Sequence, residues 1–195
     1  MWKKHWQPSV IGRFVIAPPW SDVTDEDKIV IRIEPNMAFG TGTHETTQLC
    51  LRAIEDNYRP EQSLLDVGTG TGVLAIAAAK LGRGQAQILA CDTDRDSVSI
   101  ARENAVLNGV DEFVEFYVGS IEDETHVFDF VCANLTIDVI LPLLPRLLAK
   151  SSDVLLLSGI LAGQESMITD PLKIRGVDRY DIERAGEWIS VVVRR

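Results

Sequence analysis

The sequence predicts an α/β fold in which a doubly wound, mostly parallel sheet of seven strands ends in an antiparallel C-terminal hairpin. Two observations lead to this prediction. From residue 64 onward, short apolar runs alternate with segments of helical pattern, as they do where helices connect parallel strands. Near the C-terminus, two strand-like runs are separated only by Ala185-Gly186, which is too short for a crossover helix and therefore predicts a hairpin.

The elements of the predicted sheet follow one another from residue 64 to the C-terminus. Strands are predicted at residues 64–68, 86–92, 113–119, 128–134, 153–159, 177–184 and 187–195, and helices at 72–82, 96–110, 137–150 and 161–170. Gly82 is expected at the C′ position of the first of these helices, and Gly109 is expected to end the second. Pro142 and Pro145 are expected to bend or interrupt the third.

The N-terminal part differs from the rest of the chain. Residues 1–34 are expected to form a linker and N-terminal extension, and residues 35–195 the main domain. Within the extension, one strand is predicted at 11–20 and another at 29–33, with an acidic turn between them. Residues 45–58 have the periodicity of an amphipathic helix.

Composition narrows the classes of protein to consider. The 195 residues are 46% hydrophobic and 25% charged, which suits a globular domain. A net charge of −10 argues against direct nucleic-acid binding and is compatible with a basic protein partner. Three widely spaced cysteines and three histidines predict reduced thiols, no metal site and a cytoplasmic location. No segment has the length and apolar character needed to span a membrane.

The segment "DVGTGTG", residues 66–72, follows a predicted strand and opens a predicted helix. Gly68, Gly70 and Gly72 allow a ligand to approach the backbone closely, and the helix N-terminus offers unpaired N–H groups. The loop carries no Lys-Ser/Thr pair, so it is not a Walker loop. The segment therefore predicts a binding site for a nucleoside-containing cofactor, and Asp66 is assigned to the same site.

Asp92 ends the second strand of the predicted sheet, where a carboxylate accepts hydrogen bonds from the two hydroxyls of a ribose. NAD and S-adenosylmethionine both carry an adenosine ribose, and both satisfy this pattern. The GxGxG spacing, the position of Asp66 and the C-terminal hairpin favour S-adenosylmethionine. An NAD-dependent oxidoreductase stays the alternative at this point.

A second Gly-Thr-Gly-Thr run lies in "NMAFGTGTHETTQLC", residues 36–50, ahead of the predicted sheet. We expect it to cover the same cofactor from the opposite side. Thr47 is the expected contact, because a hydroxyl in a first helical turn can help to hold a carboxylate, and Phe39 is the expected apolar cover. His44 is expected to contribute shape or a hydrogen bond rather than to act as a general base.

Five motifs occur in fixed order: "AFGTGTHETTQLCL", "LLDVGTGTGVLAIAAAKLG", "ARENAVLNGV", "VCANL" and "LLLSGIL". Together they resemble the catalytic domain of PrmA-type methyltransferases, which modify amino groups on the eleventh protein of the large ribosomal subunit. The resemblance implies an S-adenosylmethionine-dependent protein N-methyltransferase and a basic ribosomal protein as its substrate. It implies cofactor contacts at Thr47, Gly68, Asp92 and Asn134.

Members of that family also carry an N-terminal domain that docks the ribosomal protein, and "MWKKHWQP" resembles the linker that follows it. A second alternative is therefore a cofactor-binding module that is inactive without a separate docking domain. Asn134 is expected to contact the cofactor, the target amine or both, and the competing interpretation is that it caps the next helix. Ser120 follows the third predicted strand, where such folds contact adenine, and the alternative is that it is an ordinary turn residue. Trp188 is expected to pack within the hairpin.

Overall fold

The computed structural model describes residues 7–34 and 42–195, and these residues form two sheets and the helices that cover them. The smaller sheet contains β1 (Ser9–Ile11), β2 (Phe14–Ala17) and β3 (Ile29–Arg32). The larger sheet contains β4 (Leu64–Val67), β5 (Ile88–Asp92), β6 (Val114–Val118), β7 (Phe128–Asn134), β8 (Ser151–Leu161), β9 (Tyr180–Ala185) and β10 (Trp188–Arg194). The α-helices are α1 (Glu45–Asn57), α2 (Val73–Gly82), α3 (Arg95–Leu107), α4 (Ile137–Lys150) and α5 (Glu165–Ile174).

The larger sheet has the strand order β6-β5-β4-β7-β8-β10-β9. The strands β4 to β8 pair with one another in parallel, whereas β10 runs antiparallel to both β8 and β9. The predicted fold class is therefore confirmed, including the hairpin. The order of the strands reverses between β4 and β7, and in open α/β sheets ligands bind in the crevice at that point, beyond the carboxyl ends of the strands.

Apolar residues cover both faces of the larger sheet. One cluster of buried residues joins α1, α2 and α3 to the sheet and includes Ile11, Phe14 and Ile31 of the smaller sheet. The other cluster joins α4 and α5 to the opposite face. Within residues 7–34 and 42–195, no helix is both long enough and apolar enough to cross a membrane.

Residues 9–17 form two strands where the sequence predicted one at residues 11–20. β1 and β2 pair as an antiparallel hairpin, and Gly12 in the turn has a φ of 53°. A Cβ at Gly12 would lie 1.7 Å from Glu55 Oε2, and the same carboxylate oxygen accepts the Arg13 N–H at 3.1 Å. A glycine inside an apolar run marked this turn, and the single-strand prediction was wrong because it overlooked that signal.

α2 ends at Gly82, the last residue of the predicted range, but the capping position predicted for Gly82 is wrong. Gly82 is the last helical residue rather than the C′ residue, and Arg83 takes the left-handed conformation with a φ of 49°. A Cβ at Gly82 would lie 3.1 Å from the Pro60 carbonyl oxygen and 3.3 Å from Tyr58 Oη. The absent side chain therefore allows a close approach of α2 to the loop after α1, which local sequence cannot reveal.

α4 is continuous although it contains Pro142 and Pro145, so of the two expected effects, a bend or an interruption, the interruption is wrong. A proline inside a helix costs about 3 kcal/mol, whereas each fully buried aliphatic side chain contributes about 1.5 to 3 kcal/mol. Both prolines are exposed. The opposite side of the helix buries Ile137, Ile140, Leu144, Leu147 and Leu148, and this burial outweighs the cost of the prolines.

Candidate active site

A cavity of about 310 Å³ lies beyond the carboxyl ends of β4, β5 and β7, where the strand order reverses. It is lined by His44, Thr46, Gly68, Gly70, Asp92, Ser97, Asn134, Leu135, Thr136, Val139, Gly159 and Trp188. Described residues of both quoted segments, 36–50 and 66–72, thus line one cavity. The first contributes the start of α1, and the second contributes the loop between β4 and α2.

The loop between β4 and α2 depends on glycine. Gly68, Gly70 and Gly72 have φ values of 76°, 55° and 83°, in the left-handed region that only glycine adopts at low cost. The N–H groups of Gly68 and Thr69 donate to the Cys91 carbonyl at 2.8 and 2.9 Å, which ties the loop to β5. Gly72 does not line the cavity, and its Cβ would lie 3.0 Å from Ala101 Cβ, so this glycine serves the packing of α2 on α3.

Asp92 ends β5, as the sequence predicted, and it lines the cavity. Its Oδ2 accepts the Gly70 N–H at 3.0 Å, and its Oδ1 accepts the Asp94 N–H at 3.0 Å. These two bonds fix the plane of the carboxylate, and each oxygen keeps a lone pair for a further donor. The arrangement suits a ligand with two neighbouring hydroxyls.

Asp66 lies behind the glycine loop and does not line the cavity. Its side chain is 1% exposed, Oδ2 accepts the Thr69 hydroxyl at 2.7 Å, and Oδ1 accepts the Cys132 thiol at 3.4 Å. Burial raises the pKa of this carboxyl from its ordinary 3.8 to about 6, and the bonds from Thr69, Cys132 and the Ala75 N–H oppose the rise. Asp66 therefore supports the shape of the loop from beneath.

Asp66 gives the free energy of unfolding a pH dependence of defined sign. Because the folded pKa is raised from 3.8 to about 6, the folded protein holds a proton that the unfolded chain releases between these values. This contribution to stability is fully present below about pH 4 and is lost as the pH rises through about 6. We expect wild-type protein to lose about 3 kcal/mol relative to Asp66→Asn over that interval, measured by urea unfolding. A difference in the free energy of unfolding between the two proteins that does not change with pH would contradict the raised pKa of Asp66.

Asn134, the last residue of β7, joins the cavity to the start of α1. Its Nδ2 donates to Thr46 Oγ1 at 3.4 Å, and Thr46 Oγ1 lies 2.9 Å from His44 Nδ1. Asn134 Oδ1 is buried and has no hydrogen-bond partner among the described residues. The competing interpretation as a helix cap is wrong, because the N-cap of α4 is Thr136.

Four predicted site residues line this cavity, namely Gly68, Gly70, Asp92 and Asn134. Thr47 is fully buried beside it, and its neighbour Thr46 is the one that lines it. Ser120 lines a separate cavity of about 580 Å³ that β6 borders. The prediction for Phe39 lies outside the described residues.

The sequence predicted that His44 contributes shape or a hydrogen bond, but it did not assign several other lining residues to the site. His44 is the N-cap of α1, and its ring packs edge-on against Trp188, with 5.0 Å between ring centroids. Trp188 therefore lines the cavity in addition to its place in the hairpin. Gly159 has a φ of 84° within β8, and an isolated glycine inside a strand pattern is the signal that marks such a close approach. Four more lining residues lie near the ends of predicted strands or helices, but the sequence assigned none of them to a site. They are Ser97, Leu135, Thr136 and Val139.

The strand order, the glycine loop and the acid at the end of β5 define the domain as one of the class I methyltransferase fold, a Rossmann-like fold with an added antiparallel strand. A family model described as "Ribosomal protein L11 methyltransferase (PrmA)" matches residues 1–195, and the chain belongs to this family.

Individual relatives agree with this membership. The chain is 41% identical over 199 residues to a ribosomal protein L11 methyltransferase of Heliobacterium modesticaldum, a match that covers 100% of this chain and 62% of that protein. The crystal structure of a ribosomal protein L11 methylase from Lactobacillus delbrueckii subsp. bulgaricus is 34% identical, with a TM-score of 0.87 over 97% of this chain and 99% of that one.

A more distant structure shares the fold. It is an RNA methyltransferase from Salinibacter ruber in complex with S-adenosyl-L-homocysteine, 23% identical, with a TM-score of 0.58 over 74% of this chain and 88% of that one. Against three curated relatives, the chain spans 62%, 65% and 64% of their length.

Proposed function

We propose that this domain binds S-adenosylmethionine in the cavity at the end of β4, β5 and β7 and transfers its methyl group to amino groups of a ribosomal protein. One observation carries the proposal. The glycine loop, the Asp92 carboxylate and the unpartnered Asn134 Oδ1 belong to the walls of one cavity. Membership of the ribosomal protein L11 methyltransferase family supports the same reaction and the same class of substrate.

The residues around the cavity suit this cofactor. The volume of the cavity, about 310 Å³, lies at the lower end of the range of about 300 to 1,000 Å³ for small-molecule sites. Gly68 and Gly70 present backbone to the cavity, and the oriented Asp92 carboxylate would accept the two ribose hydroxyls. When bound, the cofactor would supply a methyl group on a positively charged sulfur. A nucleophile that attacks the methyl carbon in line with the carbon–sulfur bond displaces the sulfur as the leaving group.

The chain itself would bind, orient and desolvate the amine. Asn134 Oδ1 is an acceptor without a partner among the described residues. It can therefore accept a hydrogen bond from one N–H of the amine and orient the nitrogen lone pair toward the methyl group. Leu135, Val139 and Trp188 add apolar wall around the same space. An apolar wall favours the neutral amine over the ammonium ion and suits the aliphatic stem of a lysine. The target is a lysine side chain or an N-terminal amine.

The net charge of −10 supports a basic protein as the substrate, because complementary charge speeds association. The three cysteines are free and buried, in keeping with the proposed cytoplasmic location. The alternative of an NAD-dependent oxidoreductase is not favoured, since both the family and the antiparallel β10 weigh against it.

Titration calorimetry tests the choice of cofactor. We expect heat of binding with S-adenosylmethionine and none with NAD. Asp92→Asn should weaken the binding of S-adenosylmethionine about tenfold, since a hydrogen bond to a charged group contributes about 1.5 to 3 kcal/mol. Asp111→Asn, at an exposed position between α3 and β6, is the matched control and should bind as wild type does. Binding of NAD alone would contradict the proposal.

Label transfer tests the reaction. The 195-residue chain is incubated with S-adenosylmethionine labelled in its methyl group and with the purified ribosomal protein L11. We expect label in the protein, at lysine side chains or the N-terminal amine. Tight cofactor binding without transfer would favour the alternative of a module that is inactive without a docking domain.

A further inference from the structure

We infer that Thr46 and His44 form a positioning relay that fixes the side-chain amide of Asn134 with its oxygen available to the target amine. The inference rests on the proposed function, because it assigns to Asn134 Oδ1 the role of amine acceptor. It concerns two residues that do not themselves touch the reacting atoms in the proposed reaction. Three hydrogen bonds carry it.

The relay begins at His44, the N-cap of α1. The backbone N–H of Thr46 donates to His44 Nδ1 at 3.3 Å. A backbone N–H has no lone pair to offer, so Nδ1 is the unprotonated nitrogen of the ring and acts as an acceptor. The helix cap therefore determines the tautomer of His44.

The tautomer in turn determines the direction of the Thr46 hydroxyl. Thr46 Oγ1 lies 2.9 Å from the same Nδ1, and because Nδ1 carries no proton, the hydroxyl donates and shares the single lone pair of Nδ1 with the Thr46 N–H. A hydroxyl has a single proton. Once that proton points to His44, the oxygen can only accept from any other neighbour.

Asn134 is that neighbour. The contact of 3.4 Å to Thr46 Oγ1 needs a donor on the Asn134 side, so the amide nitrogen Nδ2 faces Thr46. The amide oxygen is then on the other side, where it has no partner among the described residues. Turned by 180°, the amide would bring its oxygen to an oxygen that has no proton left to give, so the relay disfavours that orientation.

The surroundings hold the relay rigidly. Thr46 is fully buried, and its carbonyl accepts the Ser158 hydroxyl at 3.4 Å from β8. The His44 ring packs edge-on against Trp188 of β10. Strands β8 and β10 thus fix α1, and α1 fixes the amide at the end of β7.

Thr46→Val and Thr46→Ser form the matched pair that tests the relay, since valine removes the hydroxyl at nearly constant shape and serine keeps it. We expect Thr46→Val to lower kcat for label transfer about tenfold, the value of one hydrogen bond, with less than about a twofold change in the Kd of S-adenosylmethionine. Thr46→Ser should keep kcat close to the wild-type value. Thr169→Val, a buried threonine of α5, is the control for loss of a hydroxyl elsewhere and should keep wild-type kcat.

Nitrogen NMR gives a readout that needs neither cofactor nor turnover. In wild-type protein the His44 ring should show an unprotonated Nδ1 and a protonated Nε2, assigned by the loss of the signal in His44→Asn. Asparagine keeps the helix cap. Thr46→Val should shift the Nδ1 signal and the Asn134 side-chain amide signals, while Thr46→Ser should leave both near their wild-type positions.

The outcomes separate this inference from the proposed function. A wild-type chain that binds no S-adenosylmethionine contradicts the proposed function, and the NMR signals then decide the relay alone. A protonated Nδ1 in the wild type overturns the relay. So does a Thr46→Val protein whose Asn134 amide signals are unchanged, or one that retains kcat.

Discussion

Asn134→Ala is expected to lower the rate of methyl transfer about 100-fold or more, while S-adenosylmethionine binds with an affinity within about tenfold of wild type. The variant removes the only side-chain acceptor that we assign to the target amine, and it leaves Gly68, Gly70 and Asp92 in place. Single-turnover transfer of labelled methyl measures the rate, and calorimetry measures the affinity.

The control for this variant is Asn57→Ala at the C-terminal end of α1. Asn57 donates to the Ala53 carbonyl and accepts from Arg194, away from the cavity, so its loss should leave the transfer rate unchanged. Asn134→Ala protein that binds the cofactor and turns over at the wild-type rate would remove Asn134 from the mechanism.

Gly159→Ala is expected to destabilise the fold by about 2 to 5 kcal/mol. The left-handed φ of 84° costs an alanine about 1 to 2 kcal/mol. Its Cβ would also lie 2.4 Å from the Leu135 carbonyl oxygen and 2.8 Å from the carbonyl carbon, and overpacking of this kind costs about 1 to 3 kcal/mol. Backbone atoms cannot rotate out of the way as a side chain can. Chemical denaturation measures the loss.

Gly109→Ala separates the cost of the left-handed φ from the cost of the close contact with Leu135. Gly109 has a φ of 64°, and a Cβ there meets no heavy atom within 4 Å in the described part of the chain. It should therefore lose only the cost of the left-handed conformation, about 1 to 2 kcal/mol. If Gly159→Ala and Gly109→Ala lowered the free energy of unfolding equally, the close contact between β8 and Leu135 would make no contribution to the loss.

Gly159→Ala should also impair the site differently from Asn134→Ala. Leu135 donates its N–H to the Ser158 carbonyl at 3.0 Å, so a shift of Leu135 displaces Asn134 and the cavity wall together. Cofactor affinity and transfer rate should therefore fall in parallel. Asn134→Ala should reduce mainly the rate, so the ratio of the two effects distinguishes loss of a wall from loss of an acceptor.

Some predictions from sequence were confirmed because their causes are local. Alternating apolar runs and helical segments determine the order of elements, and the short link at Ala185-Gly186 determines the hairpin. Gly68 and Gly70 line the cavity because they lie in a loop between a buried strand and a helix, and their contact with a cofactor stays a prediction. Asp92 followed from the same geometry, since the carboxyl ends of neighbouring parallel strands lie at one edge of the sheet.

Other features depended on packing between distant segments. Thr46 lines the cavity and Thr47 lies buried beside it, although the sequence favoured Thr47. Consecutive residues of a helix point about 100° apart, so the choice depends on how α1 is rotated about its axis. That rotation is set by contacts with β8 and β10, more than 100 residues later in the chain.

Local sequence was enough to predict the class of fold, the glycine loop and the acid at the end of β5, and the resemblance it carried is confirmed by family membership. Contacts between distant segments bring His44 and Thr46 to the same cavity as Gly68 and Gly70, add Trp188 to its lining, and keep α4 continuous through its prolines. The physical reason is the range of the interactions. Backbone preferences and apolar periodicity act over a few neighbouring residues, whereas a cavity and its hydrogen bonds arise where segments far apart in the sequence pack together.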